Sequence, residues 1–400
     1  MRASARSAVP PFQVMSILDR VAELRGAGRD VISLCAGEPS GGAPRAVRAL
    51  AATPEASALG YTSALGLRHV REAIAEHYRR WYGLDLPAGR VAVTTGSSGA
   101  FLLVFLAAFD PGDVVVLARP GYPAYRNILT SLGCRVVEVA CGEDVGFQPT
   151  PELLDRVVRE HGRVAGLVLA SPANPTGTMV DRERMTALAE WCAAHDVRLV
   201  SDEIYHGITY PTDPAAPDAH GVCALDVPGT ESAVVVSSFS KYWGMTGWRL
   251  GWAVLPEDLL DGVDALAGNV ALCPPAPAQY AAVGAFSAEG YAEAEARVAQ
   301  LAETRQVLLG RLPELGWGPV APADGAFYLY AGLGDRLGPH ASSVEWSADL
   351  LETEGVAVVP GVDFDGVAGH DYVRLSFAAG ADAVDEAVRR ILRFQDRLAG

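Results

Sequence analysis

The sequence predicts an α/β fold: a large domain with a mostly parallel sheet flanked by helices, and a smaller α+β domain built from both chain ends. Three observations predict it. Apolar, β-branched runs recur along the middle of the chain, each closed by Gly, Pro or Ser and followed by a helical pattern. Continuous apolar strands alternating with helices belong to parallel sheets covered on both faces. Every chemically suggestive cluster falls just past the end of one of these runs, which is where open α/β sheets bind ligands. From about Tyr291 the texture changes to a long helical pattern and isolated strand-like runs. A chain of 400 residues also exceeds what one typical core serves. The expected boundaries are 1–45 for an N-terminal arm and part of the small domain, 46–290 for the large domain and 291–400 for the rest of the small one.

In chain order, Pro10 and Pro11 mark an extended arm, and the segment Val14 to Leu34 is expected to pack with the second unit. Val91 to Thr95 reads as a strand; Gly96 follows, then a helix from about Ala100 to Phe109. Val114 to Ala118 leads into Arg119-Pro120-Gly121-Tyr122, and Val164 to Ala170 into Ser171-Pro172-Ala173-Asn174-Pro175. Val197 to Val200 precedes Ser201-Asp202-Glu203-Ile204-Tyr205, and Ala233 to Val236 precedes Ser237-Ser238-Phe239-Ser240-Lys241. The second unit opens with a helix, Ala292 to Leu312. It continues through strand-like Ala326 to Tyr330, Val356 to Val359 and Tyr372 to Phe377, and ends in a helix, Ala383 to Leu398. Pro211 to Pro217 is a loop, and there is no internal repeat.

Composition excludes several classes. No stretch approaches the roughly 20 apolar residues of a membrane span. Met1 to Phe12 has two arginines but no apolar run behind them, so it is not read as a secretory signal. The net charge of −16 and the lack of a basic patch argue against nucleic acid as a partner. The six cysteines are scattered with no C-x-x-C pair, which suits small buried residues in a reducing cytoplasm. No metal is expected.

The chemistry starts at Lys241. A lysine leaving a strand end among small hydroxyl residues, with Arg249 eight positions on, can bond a carbonyl cofactor through its amine. Alone, such a lysine is usually a solvated one. Gly96-Ser97-Ser98-Gly99 opens a helix, and N–H groups at a helix start bind anions. Arg249 suits a phosphate because its fork bonds two oxygens and stays charged; a fixed cation there also lowers the pKa of Lys241. Asp202 either caps the next turn or serves a ligand. Arg374 interrupts an alternating apolar strand, and a buried arginine needs a partner, structural or ligand.

These segments together resemble the class I/II aminotransferases, the aspartate aminotransferase-like branch of fold-type I pyridoxal-phosphate-dependent enzymes. The match runs from about Val31 to Phe377, in the family's order and at compatible spacings. Ser171-Pro172-Ala173-Asn174-Pro175-Thr176-Gly177 resembles the family's S-P-x-N-P-T-G segment, and Asp202 to Tyr205 its D-E-x-Y element. The resemblance implies an aminotransferase that moves an amino group from an L-amino acid to a 2-oxo acid, ping-pong, through a Schiff base at Lys241. It implies pyridoxal 5'-phosphate as cofactor and Lys241 as catalytic base. Asp202 would face the ring nitrogen, and Tyr205 and Asn174 the ring hydroxyl oxygen. Ser97, Ser98, Ser238 and Arg249 would hold the phosphate. Tyr122, rather than Tyr125, would lie over the ring. Arg374, Asn174 and Gly37 would bind the substrate. Tyr61 would reach the phosphate of a partner subunit in a homodimer with shared active sites, or be an ordinary loop tyrosine.

One departure bears on substrate. Aspartate-specific relatives carry a lysine where this chain has Ser98, and only Arg126 and Arg336 stand out as other cations for a distal acid. Neutral, aromatic or specialised biosynthetic amino acids fit instead, with Trp243 and Ser40-Gly41-Gly42 as further candidates for shaping the pocket. Other reactions on the same cofactor (β- or γ-elimination, decarboxylation, cyclisation) use the same residues and stay open. A regulator's sensor domain is disfavoured by the acidic balance and by the short segment ahead of Ala36-Gly37-Glu38-Pro39, and a dead site by the presence of Lys241, Asp202, Asn174, Tyr205, Arg249 and Arg374.

Overall fold

The computed structural model describes residues 3–57 and 60–399. Its twelve strands, in chain order, are β1 (Ile32–Ser33), β2 (Val91–Thr95), β3 (Val114–Arg119), β4 (Arg135–Ala140), β5 (Gly166–Ala170), β6 (Arg198–Asp202), β7 (Val234–Ser238), β8 (Leu250–Val254), β9 (Tyr328–Gly332), β10 (Val356–Ala357), β11 (Val359–Pro360) and β12 (Tyr372–Ser376). A seven-stranded sheet has the order β2-β8-β7-β6-β5-β3-β4. β8 runs antiparallel to both neighbours, and the other pairings are parallel. The central strands are buried on both faces, as their unbroken apolar runs require.

A three-stranded antiparallel sheet, β11-β12-β9, forms near the C-terminal end, and β1 pairs with β10 in parallel. That pairing sets Ile32 opposite Val356, so the two ends of the chain meet. The helix Gln13–Gly26 buries Val21 and Leu24 in one apolar cluster with Val31, Leu351 and Val359. The closing helix Ala381–Ala399 buries Val384, Ala387, Val388, Ile391 and Phe394, a spacing of three and four that puts them on one face.

The structure departs from the sequence reading in several places. β4 and β8 were not expected. β4 is an edge strand interrupted by Arg135 and Glu138, and β8 contains Gly251; both features blur an apolar run. The helix after β2 runs from Gly96 to Ala108, so it includes all of Gly96-Ser97-Ser98-Gly99 and does not wait until about Ala100. β6 reaches Asp202, so that carboxylate is the last strand residue, not the first of a loop. No helix among the described residues is long and apolar enough to cross a membrane. Five of the six cysteines are buried and all are free.

Candidate active site

The ends of the strands bring the site together. β2, β3, β5, β6 and β7 point the same way, and the antiparallel β8 enters at that same edge. Register sets Ser238 opposite Gly251, Thr95 opposite Leu250 and Ala170 opposite Asp202. The segments after each strand therefore converge on one cavity of about 380 Å³. Lys241, Asp202, Tyr205, Asn174 and Tyr122 line it, as do Ser97, Ser98, Arg249, Arg374 and Gly37. Two sequence candidates do not. Ser238 is 2% exposed at the end of β7 and accepts the N–H of Ser240, which shapes the turn carrying Lys241. Tyr61 is 84% exposed, away from the cavity of its own chain.

Lys241 donates from Nζ to the carbonyl of Gly37 at 2.6 Å and stands 5.8 Å from the Tyr205 ring. Burial in the cavity wall pushes its amine down to about 8 from the ordinary 10.5, against the pull of Glu38; the Arg249 and Arg374 cations add to the drop. Fixed cations thus act as expected from sequence, but desolvation is the larger cause.

Asp202 is buried, and burial pushes it up to about 6. Two donors oppose that rise: the hydroxyl of Tyr125 on Oδ2, and the N–H of Ile204 at 3.1 Å on Oδ1. The next residue, Glu203, turns away from the cavity and accepts the N–H of Ala224 at 2.7 Å and the hydroxyl of Ser201 at 3.0 Å. These bonds fix the turn that carries Tyr205, whose hydroxyl meets that of Tyr328 at 2.9 Å.

Arg374 projects from β12 and is 4% exposed. Its guanidinium donates to Asn174 Oδ1 at 2.9 Å and to the Cys35 carbonyl at 3.0 Å, and lies over the rings of Tyr328 (4.5 Å) and Phe364 (4.9 Å). Both hydrogen-bond partners are neutral, and its buried Nε has none. A buried cation in this state is incomplete without an anion.

A second place suited to an anion is the start of the helix Gly96–Ala108. Thr95 gives it no side-chain cap, which leaves its leading N–H groups for a ligand. Arg249 lies beside it in a left-handed conformation (φ 53°), anchored by a 2.9 Å bond to the Thr246 carbonyl. Gly96 has φ +68°, and a Cβ there would stand 2.6 Å from Arg249 Nη2. The glycine thus makes room for the guanidinium at the helix start.

Several lining residues were not found from the sequence. Tyr125 was set aside in favour of Tyr122, yet it supplies the donor to Asp202; the two rings meet edge-on at 5.3 Å. Tyr328 fell inside the strand-like run Ala326 to Tyr330 and was not singled out. Phe12, Val14, Met15 and Leu18 also line the cavity; the available signal was that Met15 and Leu18 fall off the buried face of their helix. Conversely, Trp243 is buried among Trp81, Phe239 and Phe286, and neither it nor 40–42 lines the cavity. Arg126 is tied to Glu138 at 3.1 Å and Arg336 lies elsewhere. Among the described residues, the cations lining the cavity are Lys241, Arg249 and Arg374.

The donor set fits pyridoxal phosphate: an amine for the aldehyde, a buried acid for the ring nitrogen, an uncapped helix start with an arginine for the phosphate, and aromatic walls. Comparison with known proteins agrees. The model of the family "aminotransferase class I and II" matches residues 29–391. A relative from Mycobacterium tuberculosis, named valine–pyruvate aminotransferase, is 47% identical over 391 residues, 98% of this chain and 97% of its own. An aspartate aminotransferase of Bacillus subtilis is 32% identical over 396 residues, 98% of each chain. Among solved structures, an aminotransferase from Mycobacterium tuberculosis has a TM-score of 0.93 at 46% identity, covering 99% of this chain and 100% of that one. Aspartate aminotransferase from Thermus thermophilus with maleate has a TM-score of 0.88 at 32% identity, covering 98% and 100%.

Proposed function

The chain belongs to the class I and II aminotransferases, and from that premise we propose that it takes its amino group from a neutral aliphatic L-amino acid, with pyruvate or a similar small 2-oxo acid as acceptor. That it is a pyridoxal-phosphate-dependent aminotransferase follows from the family and its relatives. One observation carries the choice of donor. Beyond Lys241, Arg249 and Arg374, the described lining holds no cation for a second carboxylate, while Phe12, Met15, Leu18 and Ile128 offer apolar surface. The name of the relative that is 47% identical supports the same choice.

The cofactor, when bound, supplies an electron sink for the substrate α-carbon and carries the amino group from one substrate to the next. The chain's residues do the rest. Lys241 would hold the cofactor's aldehyde, then act as base once the incoming amine has freed it. An amine with a pKa near 8 is about a tenth unprotonated at pH 7, far more than an ordinary lysine, so it takes the α-proton and returns it. Arg374 binds the α-carboxylate bidentately beside Asn174, supplying the counter-charge that its buried guanidinium lacks. Gly37 presents its carbonyl to the amine. Asp202, backed by Tyr125, keeps the ring nitrogen protonated. Tyr205 and Asn174 donate to the ring hydroxyl oxygen, and Tyr122 stacks on the ring. Ser97, Ser98 and Arg249 hold the phosphate, with Ser238 behind them. Tyr61 of the partner subunit completes the phosphate site in a homodimer. The two domains divide near 45 and 290, the exchange is ping-pong, and the cytoplasm suits six free cysteines.

The test is kcat/KM for valine, alanine, aspartate and glutamate with pyruvate as acceptor. Valine is expected to exceed both acidic donors by at least ~10-fold; an acidic donor ahead of valine would refute the reading.

A further inference from the structure

The apolar wall made by Phe12, Met15 and Leu18 is held in an unusual way. Met15 and Leu18 are 54% and 37% exposed, so core packing does not fix them; their place is inherited from the helix Gln13–Gly26. The later turns of that helix are anchored by Val21 and Leu24. In its first turn only the partly buried Val14 packs on that cluster, and Phe12, the residue before it, provides no cap. Instead Asp363, 350 residues away from Gln13 in sequence, accepts the N–H of Gln13 on Oδ1 at 2.9 Å and that of Val14 on Oδ2 at 3.1 Å. Asp363 is 8% exposed, lines the cavity, and precedes Phe364, which packs on Arg374. Leading helix N–H groups lack intrahelical partners, and a carboxylate there is favoured by the helix dipole.

We propose that Asp363 is a positioning residue for donor selection. By taking both leading N–H groups it sets how far Phe12, Met15 and Leu18 reach into the cavity, and so which side-chain sizes the site admits. This rests on the reading of the site as one for neutral donors. Without the carboxylate the first turn frays, Phe12 loses its stacking on Tyr122 (ring centroids 6.3 Å apart), and the apolar wall moves away from the substrate. The turn holding Asp363 thereby links recognition of the side chain to Arg374.

The experiment compares the full-length holoenzyme with Asp363→Ala and Asp363→Asn in two assays. The first is the ratio of kcat/KM for valine over alanine, expected to fall on the order of 10-fold in Asp363→Ala. Asp363→Asn, which retains one acceptor oxygen, should lie between. The second is the rate of backbone amide hydrogen exchange over residues 15–18 in the native protein, expected to rise about 5-fold, the usual effect of a lost helix cap. Faster exchange with an unchanged donor ratio would overturn the proposal, leaving Asp363 a structural cap. Unchanged exchange would overturn it as well, since Asp363 would then not hold the first turn. If Asp363→Ala does not fold, Met15→Ala must lower the same ratio, and an unchanged ratio again overturns it. Should the wild type prefer acidic donors, the neutral-donor reading fails; the exchange assay and a size series among acidic donors still decide the role of Asp363.

Discussion

Lys241 and Asp202 are shifted in opposite directions by the same cause, burial of a charge. For Lys241, whose folded pKa of about 8 lies below the ordinary 10.5, the unfolded chain holds the extra proton between those values. The cofactor-free protein should therefore gain stability as pH rises from about 8 toward 10.5. For Asp202, raised to about 6 from 3.8, the folded state holds the proton, so stability from this group is lost as pH rises from about 3.8 to 6. Cofactor uptake reads the lysine more directly, because only the free amine reacts. The uptake rate is expected to climb with pH with a midpoint near 8 and to level above it; a midpoint near 10.5 would contradict the burial of Lys241. Arg374→Ala is expected to weaken amino-acid binding ~100- to 1000-fold with cofactor content retained, since removing one side of a buried charge pair costs about 3–5 kcal/mol. Saturation behaviour like that of the wild type would remove Arg374 from the carboxylate site. Arg374 stood out in the sequence as a charge inside an apolar strand, and Lys241 stood out only together with the motifs around it, because a lysine after a strand is usually solvated. Tyr125 and Tyr328 were not, because a buried tyrosine near a strand has the signature of packing, and only the fold shows where its hydroxyl points.

At the junctions of strands and turns, the helix start after β2 shows how backbone conformation and chemistry are coupled. Gly96 serves both by adopting a positive φ and by leaving space for Arg249. Gly96→Ala should cost stability by about 1–3 kcal/mol for the strained backbone and also weaken cofactor binding, as measured by thermal melts with and without pyridoxal phosphate. A melt lowered equally in both conditions would mean that the guanidinium is not displaced. The apolar strands β2, β3, β5, β6 and β7 could be read from the sequence because burial on both faces leaves unbroken hydrophobic runs. β4 and β8 could not, since one lies at the sheet edge with charged residues and the other contains a glycine packed against the backbone of Ser97. The part played by the N-terminal helix was hidden for a different reason. Its link to the site is a side chain 350 residues away, and no local pattern encodes that contact.

Across the whole molecule, one sheet edge collects residues from Ser97 to Arg249, while the pairing of β1 with β10 and the position of β12 bring both chain ends to the same cavity. Tyr61 is the exception, exposed and outside the cavity, and the proposed homodimer gives it a use. Mixed dimers of Tyr61→Phe and Lys241→Ala subunits should recover activity toward one native site per dimer, because one subunit's Lys241 would work with the partner subunit's Tyr61. Activity no higher than that of either parent would place Tyr61 outside the shared site.

The most direct test is acceptor-free turnover. Valine is added to the holoenzyme without any 2-oxo acid, and the cofactor's visible absorbance and the products are followed together. Loss of the initial band with one equivalent of the 2-oxo acid of valine per site is expected. Release of carbon dioxide or free ammonia, or a band unchanged by any neutral donor, would contradict transfer of a neutral amino acid's amino group by the Lys241 site.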